Sequence, residues 1–286
     1  MNRILNYFKL VKFSHTIFAL PFALVGFFMG LYDMDFAFSL KILLLILLCM
    51  VTARNSAMGF NRWLDRRIDL NNERTKDRVI PSGVVKPQSA LIFTIVNILI
   101  FVTSTFFINR LTFLLSPVAL LVILGYSYTK RFTFLSHFIL GLGLSFAPIG
   151  AYISVTGFFS LVPILLSLAV LMWVSGFDIM YSVQDYEFDK KNNLFSVPVT
   201  FGIKGALIIS IFIHFISVVF IVATAIVGNY SFLYWVGVII YVCFIIYQHS
   251  IVKVNDLSRI NKAFFSANGM ASVTYAIFAI LGILLS

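Results

Sequence analysis

Apolar runs of about 20 residues recur along almost the whole chain, and most charged residues fall in the breaks between them. As a helix, a run of that length rises about 30 Å, which is the thickness of a bilayer's hydrocarbon core. Lipid offers no partner to a backbone N–H or C=O, so a continuously apolar run that enters it has to be helical. The runs lie near 14–32, 37–62, 90–109, 112–129, 134–155, 160–183, 205–227, 231–249 and 265–285. They predict an all-α, polytopic membrane protein of about nine transmembrane helices, with residues 1–286 as a single transmembrane domain. A soluble fold is excluded by composition: 60% hydrophobic and 11% charged residues, against roughly 45–50% and 25% in soluble domains. The first run follows Arg3, Lys9 and Lys12 with no small-residue cleavage site, so it is expected to be a retained span rather than a signal peptide.

A net charge of +10 in a soluble protein would suggest nucleic acid. Here the basic residues are scattered through short connections, which is the pattern of membrane topology, and no nucleic-acid partner is expected. Of the 21 Lys and Arg, only Lys41 and Arg110 fall in the connections near 33–40, 110–111, 156–159 and 228–230 or at their edges. The others crowd the N-terminus and the loops near 63–89, 130–133, 184–204 and 250–264, apart from Arg54 and Arg62 toward the end of the second run. Positive residues stay on the cytoplasmic side, so the N-terminus and long loops are expected there and Ser286 outside. Cys49 and Cys243 lie in apolar runs and suggest neither a disulfide framework nor a metal site.

Acidic residues are few, and most fall in two clusters on the cytoplasmic side. In the first, Asn61, Asp65 and Asp69 stand at i, i+4 and i+8, which places all three on one helix face. In the second, Tyr181, Asp185 and Asp189 repeat that spacing, with Asp178 further into the apolar run. The clusters end the second and sixth expected helices, 120 residues apart from Asp65 to Asp185, which suggests a weak internal duplication of a four-helix unit. A single Asp at the end of a span is as often merely solvated. An ionisable residue inside the run, as Asp178 is, reads as functional by default.

Like charges four residues apart repel on a bare helix, so two such ladders call for a cation. Oxygen ligands with no Cys or His nearby point to a hard ion such as Mg2+, which keeps waters and takes one or two carboxylates plus substrate phosphates. Two acidic faces opposed across a cavity would hold a pair of ions bridging a diphosphate. Arg62, Lys130 and Arg131 are candidates for the remaining phosphate oxygens. The loop from Asn72 through Arg74, Lys76 and Arg78 to Pro81 and Gly83 reads equally as a lid over phosphate or as positive-inside charge. An ion-coupled secondary transporter is the alternative from another class, since intramembrane Asp residues and internal repeats occur there too. The acidic clusters end helices rather than sitting at mid-depth, which weighs against it.

Together these residues resemble the UbiA superfamily of intramembrane prenyltransferases, which carries an Asn-x-x-x-Asp-x-x-x-Asp motif after its second helix and a second Asp-rich motif after its sixth. The run from Arg74 to Gly83 is similar to that family's following loop, and Tyr128 to Thr133 to its basic turn after the fourth helix. The likeness covers nearly the whole chain. The stretches 57–62, 135–137, 147–151 and 184–189 look closest to the bacterial 4-hydroxybenzoate polyprenyltransferase-like branch. One departure is the run Lys12-Phe13-Ser14-His15-Thr16, where many of those enzymes read Arg-x-Asp-Lys-Pro, and it leaves the aromatic acceptor open.

The resemblance implies nine helices around a central cavity in a bacterial inner membrane, open to lipid for an isoprenoid tail. It implies Mg2+ on Asn61, Asp65, Asp185 and Asp189, and transfer of a polyprenyl group from its diphosphate to 4-hydroxybenzoate or a similar ring in quinone biosynthesis. Asp65 and Asp185 would act in catalysis through the metal. Asp69 and Asp178 would orient the acceptor or take its ring proton. Lys12, Arg62, Arg74, Arg78, Lys130, Arg131 and Tyr181 would line the substrate site, and Tyr126 and Tyr128 would offer aromatic faces to the allylic cation. Dihydroxynaphthoate prenylation and protohaem farnesylation, other branches of the superfamily, share the same motifs. His15, His137, His214 and His249 have no mutual metal spacing, and Gly141, Gly143, Gly150 and Pro148 suggest close packing or a kink in the fifth helix.

Overall fold

The computed structural model describes residues 3–11 and 18–286, and among them there is no β-strand. An amphipathic helix α1 (Arg3–Val11) precedes α2 (Leu20–Asp33), α3 (Leu40–Leu64) and the short α4 (Arg66–Asn71). Then come α5 (Pro87–Ile108), α6 (Arg110–Thr129), α7 (Ser136–Thr156), α8 (Leu161–Ser182) and the short α9 (Tyr186–Lys191). The chain finishes with α10 (Val197–Gly228), α11 (Phe232–Ile251) and α12 (Asn268–Leu284). Among the described residues eight helical segments are long and apolar enough to cross a bilayer, and the 14-residue α2 is a shorter apolar helix. The chain is a multi-pass, all-α membrane protein. Exposed side chains such as Leu99, Leu121, Phe215 and Ile246 give it the apolar outer surface that lipid requires.

Local chemistry sets several helix ends. Pro21, Pro87 and Pro198 sit in the first turn of α2, α5 and α10, where a missing N–H costs no bond. Gly157 closes α7 at φ 76°, the left-handed conformation a side chain would resist. Gly202 is likewise non-helical, at φ 73° and ψ 168°, inside the residues of α10. The helix therefore starts with a separate turn, Val197 to Phe201, ahead of the apolar run read from the sequence. A π-helical turn, Lys262–Ala267, leads into α12.

The chain forms two compact units: Met1–Thr16 with Leu40–Tyr128, and Ile17–Ser39 with Thr129–Ser286. In the first, α3 packs on α5. A Cβ at Gly59 would come 2.5 Å from Thr94 Oγ1, so the glycine lets the backbones approach, and Asn55 Nδ2 donates to Asn97 Oδ1 at 3.0 Å to tie the helices within lipid. Leu10 of α1 packs with Ile80, Val85 and Ala90, and so holds the loop that follows α4.

In the second unit, α7 packs on α2 and α8, and α8 on α10. Gly141 carries the α7–α8 approach, since a Cβ there would lie 2.4 Å from Ser175 Oγ and 2.5 Å from Leu171 O. Gly150, by contrast, has open space where a Cβ would stand. The carbonyl of Pro148 lies against Gly26 of α2. Asn268, the first residue of α12, is buried: it accepts from Trp173 Nε1 at 3.1 Å and donates to the carbonyls of Ala263 and Phe264. The bond to Trp173 ties the start of α12 to α8. His214 and His249, 35 residues apart, share a 2.7 Å bond between ring nitrogens.

Candidate active site

In the first unit the ladder from Asn61 to Asp69 crosses a helix break. Helix α3 stops at Leu64 and α4 starts at Arg66, with Asp65 between them at ψ 1°. The backbone bonds Asp65 N to Asn61 O, 2.9 Å, and Asp69 N to Asp65 O, 2.8 Å, carry the helical spacing through. Asn61 Nδ2 donates to Asp65 Oδ2 at 3.1 Å and lies 3.4 Å from Ser127 Oγ of α6. Ser127 is buried, and the sequence offered no local sign of it, because it lies 66 residues from Asn61. Its neighbours Tyr126 and Tyr128 are two residues apart on one helix and point apart. Tyr126 is half-buried, whereas Tyr128 is exposed and lies against Phe60 with ring centroids 5.9 Å apart.

Asp69 is buried and engaged. Arg78 Nη1 donates to its Oδ1 at 2.7 Å, and Arg62 Nη1 stands 3.9 Å from Oδ2. Thr75 Oγ1 donates to the Asp69 carbonyl at 2.9 Å. The loop after α4 is therefore fastened to the acidic motif through Arg78 and Thr75, and Gly83 turns it at φ 76° toward α5. Arg74 is exposed, its backbone N–H held by Asn72 Oδ1 at 2.9 Å. Lys12 and His15 lie outside the described residues.

In the second unit Asp178 and Tyr181 project from the end of α8. A 3-10 turn, Val183–Asp185, carries Asp185, and α9 carries Asp189. This tighter turn follows the end of the run read at 160–183 and interrupts the helical spacing of Tyr181, Asp185 and Asp189. Asp189 hydrogen-bonds the Ser196 side chain and lies within electrostatic reach of Asp185, Lys130 and His137. Lys130 and Arg131 follow α6, and the Lys130 carbonyl accepts from Phe195 N–H at 2.8 Å. Asp178 Oδ2 lies 2.7 Å from Nδ1 of His137. Tyr181 stacks on Phe264, centroids 4.1 Å apart, where the π-helical turn presents that ring.

Each unit thus offers oxygen donors of the kind a hard cation takes: Asn61 and Asp65 in one, Asp185 and Asp189 in the other. Among the described residues no three His, Cys, Asp or Glu side chains gather into a preformed metal cage. An ion that keeps its waters and binds through one or two carboxylates and phosphate oxygens needs none, so the donor set fits Mg2+.

The model of the UbiA prenyltransferase family matches residues 19–270. A curated relative named 4-hydroxybenzoate octaprenyltransferase, from Vesicomyosocius okutanii subsp. Calyptogena okutanii (strain HA), is 29% identical over 247 residues, covering 86% of this chain and 88% of its own. The apo structure of a UbiA homolog from Aeropyrum pernix K1 superposes with a TM-score of 0.81 at 29% identity, over 94% of this chain and 97% of that one. A UbiA homolog from Archaeoglobus fulgidus, solved with GPP and Mg2+, has the same fold: TM-score 0.77 at 22% identity, over 98% and 99%.

Proposed function

The chain belongs to the UbiA prenyltransferase family, and from that membership we propose that it transfers a polyprenyl group from its diphosphate to 4-hydroxybenzoate or a similar aromatic acceptor, with Mg2+, in quinone biosynthesis. The observation that carries this reading is the pair of oxygen-donor sets, Asn61 with Asp65 and Asp185 with Asp189, each at the end of a membrane span. The name of the curated relatives supports the acceptor class, and the ligands of the archaeal homolog support the donor and metal. Ion-coupled transport, the other reading of the acidic residues, gives way to membership of an enzyme family.

Bound there, Mg2+ would supply positive charge against the departing diphosphate. The chain's own cations, Arg74, Lys130 and Arg131, bind the remaining phosphate oxygens. Arg62 and Arg78 act first on Asp69, so Asp69 serves to hold the loop over the motif rather than to take a proton. That leaves Asp178 as the carboxylate on the acceptor side, with Tyr181 and Phe264 as its aromatic wall. The positive-inside asymmetry of the loops puts the N-terminus and both motifs on the cytoplasmic face and Ser286 outside. In sealed vesicles, a membrane-impermeant thiol reagent should label Asp35→Cys and Lys76→Cys from opposite sides, and labelling from one side would overturn that orientation.

The test of the activity uses purified chain in detergent with a long prenyl diphosphate, Mg2+ and, separately, 4-hydroxybenzoate and 1,4-dihydroxynaphthoates. Lipid-soluble product is read by mass spectrometry, with Asp65→Ala and Asp185→Ala alongside. A prenylated 4-hydroxybenzoate that needs the metal and both carboxylates is the expected result. A prenylated naphthoate alone would move the enzyme to another branch, and turnover that survives chelation or either substitution would refute the metal reading.

A further inference from the structure

The contact between His137 and Asp178 takes no part in the metal and diphosphate chemistry above. We propose that His137 is a positioning residue that holds Asp178 in place for the hydroxyl of the aromatic acceptor. The role rests on Asp178 being the acceptor-side carboxylate of the proposed function.

The hydrogen-bond geometry decides what the imidazole does. His137 stands in the first turn of α7, its side chain 5% exposed, with Nδ1 2.7 Å from Asp178 Oδ2. Its other nitrogen, Nε2, lies 3.4 Å from the backbone N of Val197, at the start of α10. An amide N–H only donates, so Nε2 must present its lone pair, and the ring proton then sits on Nδ1 and is donated to Asp178. The bond to Val197 thus holds the ring in one tautomer. Behind it, Ser175 Oγ lies 3.3 Å from the His137 carbonyl, and Gly141 brings α7 close against α8.

Asp178 is thereby fixed through one oxygen. Its side chain is 25% exposed, and Oδ1 has no hydrogen-bond partner among the described residues. A fixed carboxylate with one oxygen open suits the phenolic hydroxyl of the acceptor: the hydroxyl donates to Oδ1, and the ring carbon ortho to it is held in one direction. Without His137 the carboxylate turns freely about its side-chain bonds, and the acceptor loses that direction while the donor end is untouched.

The experiment compares wild type, His137→Phe, His137→Gln, Asp178→Asn and the Phe/Asn double variant, all as the full chain in detergent. Prenyl diphosphate and Mg2+ are supplied, 4-hydroxybenzoate is varied, and ring product and free diphosphate are measured in the same samples. His137→Phe should lower kcat/KM for the acceptor by about 10- to 100-fold, the scale of a misplaced reactant. Donor KM should stay within about twofold, and more diphosphate should be released per product. His137→Gln should restore most of the loss, because its amide N–H can donate to the same oxygen. In the Asp178→Asn background, His137→Phe should add little, since the two act through one contact. If the Phe variant fails to fold, His137→Leu takes its place. Wild-type acceptor kinetics in the Phe variant, equal damage to donor and acceptor with no rescue by Gln, or effects that simply multiply would each overturn the proposal. A wild type that consumes donor yet prenylates no ring would instead sink the proposed function, and this role with it.

Discussion

Arg78→Met should free the loop between α4 and α5. The Asp69 side chain is 6% exposed, and its Oδ1 takes a 2.7 Å bond from Arg78 Nη1. Its Oδ2 is buried without a hydrogen bond, 3.9 Å from Arg62. Removing one partner of a buried ion pair costs about 3–5 kcal/mol, because the other charge is left uncompensated. Arg62 remains nearby and the Arg78 side chain is 21% exposed, so the lower end applies, about 3 kcal/mol. At about 1.4 kcal/mol per factor of ten, the open form of the loop should rise on the order of 100-fold. Arg74 and Lys76 are exposed trypsin sites in that loop, and cleavage there follows the open population when reclosing is fast. The assay is the rate of limited trypsin cleavage at those two bonds in detergent. Arg78→Lys should fall between wild type and Met, because an ammonium keeps the charge but not the guanidinium fork. Adding Asp69→Asn to Arg78→Met should recover part of the loss, since the stranded charge is gone. A cleavage rate for Arg78→Met within about threefold of wild type would refute the clamp.

Two further substitutions test the packing. Gly26→Ala would drive a Cβ into the Pro148 carbonyl, to 2.1 Å; since both sides are backbone, α2 and α7 must separate, and a loss of about 1–3 kcal/mol is expected. Thermal unfolding in detergent reads it, and an unchanged midpoint would show that the helices give way freely. Asn268→Leu would leave the Trp173 N–H buried without the 3.1 Å bond it now makes, at a cost of about 1–3 kcal/mol. A lowered unfolding midpoint with acceptor and donor KM unchanged is expected, and a shifted KM would move Asn268 from packing to pocket.

The membrane spans were legible without coordinates because lipid leaves the backbone one solution. Wherever about 20 apolar residues run together, a helix follows, and observed elements such as Pro87–Ile108 and Leu161–Ser182 lie within a few residues of the runs at 90–109 and 160–183. The spacing of the first acidic motif was legible for a similar reason. A spacing of four is a local property of a helix, and the backbone bonds Asp65 N to Asn61 O and Asp69 N to Asp65 O preserve it even across the break at Asp65. Charge placement in the loops likewise needs no tertiary information.

What the side chains of the acidic motifs touch is set by partners elsewhere in the chain. Asp69 looks like one more rung of a cation ladder until Arg78, nine residues on, folds back to it. Asp178 finds His137 at a separation of 41 residues, and Asn61 finds Ser127 at 66. No periodicity encodes such pairs. They follow from how closely α7 can lie on α8 at Gly141, where the loop after α4 turns, and where α10 begins. Local repeats of the sequence determine helices and the faces they carry, because helical geometry acts over a few residues. Helix packing decides which distant group each carboxylate meets, because a hydrogen bond depends on distances that only the assembled chain sets.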